Sequence, residues 1–260
     1  MKIIAKSIAL MVVDKKNLGR ANCLAFRSNL PLIDSPEDAG NYRFIMAVTD
    51  DRIELHNNLD TKVKPIVVDF LSTELVRRIR FLNKKNELIA RAIGLGSSKR
   101  SLKVLDATAG FGIDAYVLAS FGCQVTMVER SVVIGILLED GLGRLRNKNS
   151  ALAEKMNLIH LDAFDYFRTI ETENIVQRPD VIYLDPLYPK SKKSSLNRKS
   201  MRILREIVGE DFDADKLLKP ALAIAHRVVV KRHKKSEYMA NLEPSLQFFS
   251  NGSSRYDVYY

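Results

Sequence analysis

The strongest constraint on this chain is an alternation that begins at Leu102 and runs almost to the last residue. Strand-like apolar runs (LKVLDA, QVTMVER, NLIHLD, VIYLD and HRVVVK) alternate with segments of helical spacing. These begin at Gly112, Ser131 and Ala163 and recur around Met201 to Val208 and Ala214 to Ala225. Strands joined by helices of this length return parallel to one another, because the crossover is too long for a hairpin. The pattern predicts an α/β fold: a doubly wound, Rossmann-like, mainly parallel sheet. At its end, SLQFFS and RYDVYY flank Asn251-Gly252, which predicts an antiparallel hairpin closing one sheet edge. With 260 residues and 46% hydrophobic content, the chain can build this domain and a small appendage.

The appendage precedes the alternation. Residues 1–71 carry short β-like runs (IALMVV, YRFIMAVT, RIELHN, PIVVDF) broken by Pro, Gly, Asn and Asp, which predicts a small β-rich N-terminal subdomain. Residues 72–100 read as a helical linker. Ser72 or Thr73 would cap it, Leu75, Ile79, Leu82, Leu88 and Ile89 form its apolar face, and Gly94, Gly96 and SSKRS end it. Residues 101–260 form the α/β domain. The opening run MKIIAKSIALMVV is interrupted by Lys6 and falls short of a membrane span, so it reads as a strand of a cytoplasmic protein with no membrane association. Cys23 and Cys123 show no metal or disulfide spacing and read as reduced packing residues. His56, His160, His226 and His233 are scattered and acquire no catalytic role, and no metal site is expected.

Forty-one basic against 31 acidic residues give a net charge of +10, which favours a polyanionic partner. Many basic proteins simply have a solvated surface, so placement matters more than the sum. Lys190, Lys192, Lys193, Arg198, Lys199 and Arg202 form a run with no acid from Lys190 to Arg205. Arg77, Arg78, Arg80, Lys84 and Lys85 form a second cluster, and Lys231, Arg232, Lys234 and Lys235 a third. The first of these, at Lys190, Lys192, Lys193, Arg198 and Lys199, is the candidate surface for the phosphates of such a partner.

Asp106-Ala107-Thr108-Ala109-Gly110-Phe111-Gly112 falls where the first strand of the α/β domain becomes a helix. Gly110 and Gly112 permit a tight turn and close ligand approach, and the helix start offers unpaired N–H groups. Gly110, Gly112 and Ala115 also satisfy a dinucleotide fingerprint, and ordinary turn chemistry is a third reading. Glu129, ending the next strand, suits ribose hydroxyls in either cofactor class. Asp106 would repel a pyrophosphate but suits a cationic amino acid moiety, so the loop favours S-adenosylmethionine over NAD. Asp162-Ala163, after the third strand, lies where an adenine amino group would be met; a plain helix cap explains Asp162 equally well.

Directly after VIYL stands Asp185-Pro186-Leu187-Tyr188-Pro189, which resembles the Asp/Asn-Pro-Pro-Tyr/Phe signature of S-adenosylmethionine-dependent amino-methyltransferases. An exocyclic base amine is a weak nucleophile because its lone pair is delocalised into the ring. Asp185 Oδ and the Pro186 carbonyl could accept its two N–H groups and stabilise the charge developing on nitrogen. Tyr188 could stack on a flipped or unpaired base, an interaction worth about 1–3 kcal/mol. Asp-Pro after a strand can also be only a turn, with Tyr188 as packing. The ordered set Asp106, Gly110, Gly112, Glu129 and Asp185 favours the class I methyltransferase reading. An NAD-dependent oxidoreductase would leave the Asp185 motif unexplained, and a noncatalytic RNA-binding protein would explain only the charge. Adenine N6 or cytosine N4 would present the same pair of N–H groups as guanine N2.

Over most of its length the chain resembles the bacterial ribosomal RNA small-subunit methyltransferase J family. The residues that carry the likeness are PIVVDF (65–70), LDATAGFGIDAYVLASFGCQVTMVER (105–130), LLEDGLGR (137–144), VIYLDPLYPKSKKS (181–194), MRILREIVGEDFDADKLLKPAL (201–222) and RVVVKR (227–232). The resemblance implies methylation of guanine N2 in 16S ribosomal RNA, with S-adenosylmethionine as cofactor, no metal, and small-subunit RNA or the 30S particle as partner; no obligate protein partner is evident. It implies cofactor contacts at Ile113-Asp114, Glu129-Arg130, Asp162-Ala163 and Asp185. Ile113 stands where the pattern leads one to expect Arg, which leaves a backbone role there. Leu187 replaces the second proline of the general signature.

Overall fold

A computed structural model describes residues 7–35, 37–60, 62–81, 83, 85–97, 100–172, 178–186, 199–209, 213–250 and 252–260. Its strands are β1 (Ile8–Val12), β2 (Leu32–Ile33), β3 (Phe44–Val48), β4 (Ile53–Asn57), β5 (Lys103–Asp106), β6 (Gln124–Val128), β7 (Met156–Ile159), β8 (Val181–Leu184), β9 (Arg227–His233), β10 (Leu246–Phe249) and β11 (Ser254–Tyr259). Its helices are α1 (Leu18–Ser28), α2 (Thr73–Phe81), α3 (Leu88–Ala92), α4 (Ile113–Ser120), α5 (Val132–Lys148), α6 (Ser150–Ala153), α7 (Ala163–Thr172), α8 (Lys199–Val208) and α9 (Leu218–Ile224). Two compact units emerge. One comprises Met1–Asp69, Ser131–Arg144 and Ser194–Gly209; the other comprises Phe70–Arg130, Leu145–Lys193 and Glu210–Tyr260.

In the first unit the sheet order is β2-β1-β3-β4, with β1 parallel to β2 and β3 and with β4 antiparallel to β3. Ala9, Ile33 and Ile45 form a small core backed by Met11, Ala39 and Tyr42. Charge supplements it. Arg144 reaches Asp140 at 3.1 Å, Asp69 at 3.0 Å and the Val68 carbonyl, while Arg20 donates to Asp140 at 2.6 Å. Asp140 is buried, so removing either arginine would leave charge with reduced compensation inside the fold. The ion cluster ties Asp69 of PIVVDF to the Asp140–Arg144 pair of LLEDGLGR.

In the second unit the order is β10-β11-β9-β8-β5-β6-β7. Strands β9, β8, β5, β6 and β7 are parallel, and β11 runs antiparallel to both β9 and β10. Central strands covered on both faces read as continuous apolar runs rather than alternations, which is why VIYL (181–184) and VVV (228–230) show no alternation. On one side Leu105, Ile182, Leu184, Val228 and Val230 pack against Phe167 and Ile170 of α7 and Leu218, Ala221 and Ile224 of α9. Strand periodicity sends Tyr183 to the opposite face, where its hydroxyl meets α4. There Phe70 stacks on Tyr116 with ring centroids 5.2 Å apart. The hairpin edge is braced inside by Arg255, which donates to Asp257 at 2.8 Å with both side chains almost fully buried.

The doubly wound sheet and its C-terminal hairpin match the expectation; Asn251 of the hairpin turn lies outside the described residues. Three local differences have physical causes. PIVVDF forms no strand: only Ile66 bridges, to Leu55, and the segment's apolar side chains are used in packing instead. The chain from Thr73 to Ala92 is two helices, since Asn83 makes a turn, with Glu87 N–H on its carbonyl and Lys85 N–H on its side chain. Helix α1 escapes the β-rich reading because it buries only Ala21 and Leu24, too sparse a stripe to announce a helix. Cys123 is buried, whereas Cys23 lies exposed on that helix. Among the described residues, no helix is long and apolar enough to cross a membrane.

Gly94 ties α3 to β9. Its φ of +78° lies in the left-handed region, and an added Cβ would fall 2.4 Å from Arg227 Nη1, which is itself fixed on the Ala92 carbonyl at 3.0 Å. Gly94→Ala is therefore expected to lower the unfolding free energy by about 1–3 kcal/mol, measured by urea titration; an unchanged midpoint would contradict this packing.

Candidate active site

Parallel strands place their carboxyl ends at one edge, and the order changes direction at β5, which continues to β6 on one side and β8 on the other. Ligands bind in doubly wound sheets at such a switch point. The register brings the predicted residues to this edge: Asp106 pairs with Tyr183 of β8 and Met127 of β6, while Leu184 pairs with Val230 of β9.

The glycine loop leaves β5 and enters α4 with Gly110 at φ +53° and Gly112 at φ +70°. Nothing lies within 4 Å of the position a Cβ would take on Gly110, so the loop presents open backbone. Glu129, just beyond β6, accepts the Gly110 N–H at 2.9 Å through Oε2 and shapes the turn it follows. Arg130 lies 3.7 Å from Asp162 and 3.6 Å from Asp213. Asp162 caps α7, accepting the Phe164 N–H at 2.9 Å, with buried Ala163 beginning the helix. The capping reading of Asp162 is thus realised, and the Arg130 contact places its other oxygen toward the same edge. Ile113 opens α4 and is 37% exposed.

Asp106 is only 2% exposed. Burial and the facing Asp114 carboxylate push it well above the usual carboxylate range; the Thr108 N–H pulls it down, Asp185 adds to the rise, and Lys231 opposes it. A carboxyl held up in this way is relieved by an incoming cation. Open glycine backbone, a ring of carboxylates and the absence of a phosphate-binding arginine in the loop itself fit a cationic adenosyl ligand better than a pyrophosphate. Among the described residues, no group of three or more His, Cys, Asp or Glu is arranged to hold a metal ion.

Asp185 follows β8, with its N–H donating to Thr108 Oγ1 at 2.6 Å and its side chain 39% exposed. Pro186 behind it is buried. Lys231 Nζ lies 2.9 Å from Asp185 Oδ2 and 2.7 Å from Asp114 Oδ2, and the same Asp114 oxygen accepts the Tyr183 hydroxyl at 2.7 Å. Burial raises Asp185, Lys231 pulls it back and Asp114 raises it, leaving it above its ordinary value. Burial also raises Asp114, but the Lys231 charge and the hydrogen bonds from Lys231 and Tyr183 outweigh this and hold it below. Burial works against a charged Lys231, yet the two carboxylates lift it far above the ordinary lysine range. Tyr183, buried and facing Asp114, is raised as well and stays a neutral donor.

Sequence reasoning does not single out Thr108, Tyr183 or Lys231 as site residues. Lys231 belongs to the third basic cluster, but it points inward, as does buried Arg232, which meets Asp215 at 3.5 Å. The available signal is a lysine following three valines on the strand beside the Asp185 strand. Tyr188, Lys190, Lys192, Lys193 and Arg198, with the side chain of Lys199, lie outside the described residues. Of the second cluster, Arg77, Arg78, Arg80 and Lys85 are exposed; Lys84 is likewise outside them.

The SAM-dependent methyltransferase family model SAM_MT matches residues 30–260. Ribosomal RNA small subunit methyltransferase J of Aliivibrio fischeri is 39% identical, covering 97% of each chain. The protein of the same name from Coxiella burnetii is 40% identical over 97% of this chain and 96% of its own. This chain belongs to the ribosomal RNA small subunit methyltransferase J family. The crystal structure of a SAM-dependent methyltransferase from Neisseria gonorrhoeae superposes with a TM-score of 0.74 at 29% identity, covering 96% of this chain and 95% of that one. The chain thus has the sheet that the alternation predicts and belongs to the cofactor class that the glycine loop favoured.

Replacing Glu129 removes a charged acceptor beside the glycine loop. Glu129→Ala is expected to weaken S-adenosylmethionine binding at least about tenfold, since hydrogen bonds to charged groups contribute about 1.5–3 kcal/mol. Titration calorimetry would read the change, and parent-like affinity would exclude this role.

Proposed function

We propose that this enzyme transfers a methyl group from S-adenosylmethionine to the N2 amine of a guanine in 16S ribosomal RNA, with Asp185 and Pro186 gripping the acceptor nitrogen. The carrying observation is the half-exposed Asp185 carboxylate at the switch-point edge, its backbone fixed by Thr108 and one oxygen by Lys231. The relatives named as small subunit ribosomal RNA methyltransferases support the RNA substrate, and the family resemblance supports guanine N2. Small-subunit RNA in the cytoplasm, free or in the 30S particle, is the partner in this reading.

The cofactor would be held by Asp106 toward its amino acid end, Gly110, Gly112 and the Ile113 backbone along the loop, Glu129 and Arg130 at the ribose edge, and Asp162 and Ala163 at the adenine. Asp114 would border it while committing one oxygen to Tyr183 and Lys231. Bound S-adenosylmethionine supplies a methyl group already activated on a sulfonium. Asp185 and the Pro186 carbonyl then have two tasks. They orient the amine so that its nitrogen approaches in line, and they stabilise the positive charge that grows on it. An Asp185 held above its ordinary value can also take up the proton that the methylated nitrogen sheds. Tyr188 would stack on the target base, and Lys190, Lys192, Lys193, Arg198 and Lys199 would hold the flanking phosphates. The proposed organisation is a β-rich region over 1–71, a helical linker over 72–100 and the methyltransferase domain over 101–260.

Asp185→Ala should reduce turnover on the order of 100-fold or more, the usual effect of losing one charge-stabilising group, with cofactor affinity retained. Mass-spectrometric mapping of 16S RNA from cells carrying this variant should lack one N2-methylguanosine present with the parent. Parent-level methylation would overturn the proposal, and loss of a methyl from adenine N6 or cytosine N4 would replace the target base. Neutralising Lys190, Lys192, Lys193, Arg198 and Lys199 together should weaken RNA binding and flatten its salt dependence by about 0.7 in slope for each single-strand phosphate that is no longer neutralised; an unchanged slope in a binding titration would remove this surface.

A further inference from the structure

We infer that Lys231 is a positioning residue for methyl transfer, clamping Asp185 Oδ2 against Asp114 so that Oδ1 of the same carboxylate meets the acceptor amine. The inference rests on the proposed role of Asp185. Three observations carry it. Lys231 stands one step past the Leu184–Val230 pair, so the parallel register of β8 and β9 sets it beside Asp185. Its ammonium is within 2.9 Å of Asp185 and 2.7 Å of Asp114, which distinguishes it from exposed Lys235 on the same segment. Asp114 is in turn fixed by the Tyr183 hydroxyl at 2.7 Å, so the clamp has a rigid far end on α4.

An unclamped aspartate rotates about its side-chain bonds and turns either oxygen to the amine; the ammonium selects one orientation and supplies a charge that favours the ionised, accepting form. The groups facing this cluster are Asp106 at the end of β5, Asp114 on α4, Tyr183 on β8 and Tyr256 on β11, which pairs with Lys231 across the sheet. Arg78 acts on Asp114 and Glu87 on Tyr256. Lys231 is the cation whose side chain contacts both carboxylates, so its removal raises the Asp185 pKa further. The sign follows: turnover that requires ionised Asp185 falls at low pH, and this acid limb moves upward when the cation is lost.

The test is steady-state methylation of 16S RNA by the full-length enzyme across pH, with calorimetric binding of S-adenosylhomocysteine and thermal unfolding followed in parallel. Lys231→Met should lower kcat on the order of 100-fold, as small misplacements of reacting groups do. It should move the acid limb upward by about 1–3 pH units while leaving KM for RNA little changed. Lys231→Arg, which keeps the charge, should return the limb to the parent position. Lys231→Gln, which can still accept and donate hydrogen bonds without leaving an apolar stub between two carboxylates, should show the same displaced limb and provides the reading if the Met variant does not fold. A parent-like limb in the folded neutral variant would overturn the clamp. If Asp185→Ala keeps parent turnover, the functional proposal itself fails; if Asp185→Ala is inactive and the limb of the neutral variant stays in place, only the Lys231 inference fails.

Discussion

One ammonium between two carboxylates organises the active edge of this enzyme. Lys231 draws Asp185 at the end of β8 and Asp114 in the first turn of α4 to a common point, and Tyr183 secures the second of them from below. Without the cation, two carboxylates would face one another with reduced charge compensation, Asp114 the more buried of the two. The cluster therefore couples the end of the strand that Asp185 follows to the helix that the glycine loop enters. Thr108 adds a second link, since its hydroxyl takes the Asp185 N–H from within that same loop.

The parallel sheet is what makes this meeting possible. Successive βα units deliver Asp106, Glu129, Asp185 and Lys231 to one edge, although they are separated by many residues in the chain. Around that edge the carboxylates divide by environment. Buried Asp106 is held toward protonation, Asp114 is kept ionised by its lysine, and Asp185 stays partly exposed.

Legibility in the sequence follows the kind of signal. The α/β alternation is clear because each strand is bounded by its own helix, and the glycine loop and Asp185 motif are clear because they occupy fixed places at strand ends. Lys231 is hidden: in a chain with a net charge of +10, a lysine next to Arg232 and near Lys234 reads as surface, and only the pairing of β8 with β9 reveals that it faces an aspartate. Tyr183 is hidden by the opposite bias, since a tyrosine inside VIYL reads as core; it is core, with its hydroxyl directed to Asp114. PIVVDF misleads because an apolar run predicts a strand whether its backbone pairs or, as here, mainly its side chains and the Val68 carbonyl are used.

The central claim is that the Asp185 carboxylate and Pro186 carbonyl hold the amine that receives the methyl group. A crystal structure of the enzyme with S-adenosylhomocysteine and its substrate RNA would measure this directly. The expected result is an exocyclic guanine nitrogen within about 2.7–3.2 Å of both an Asp185 oxygen and the Pro186 carbonyl, aligned with the sulfur. A base seated at the edge with its amino group away from Asp185, or an Asp185 side chain turned from both base and sulfur, would contradict it.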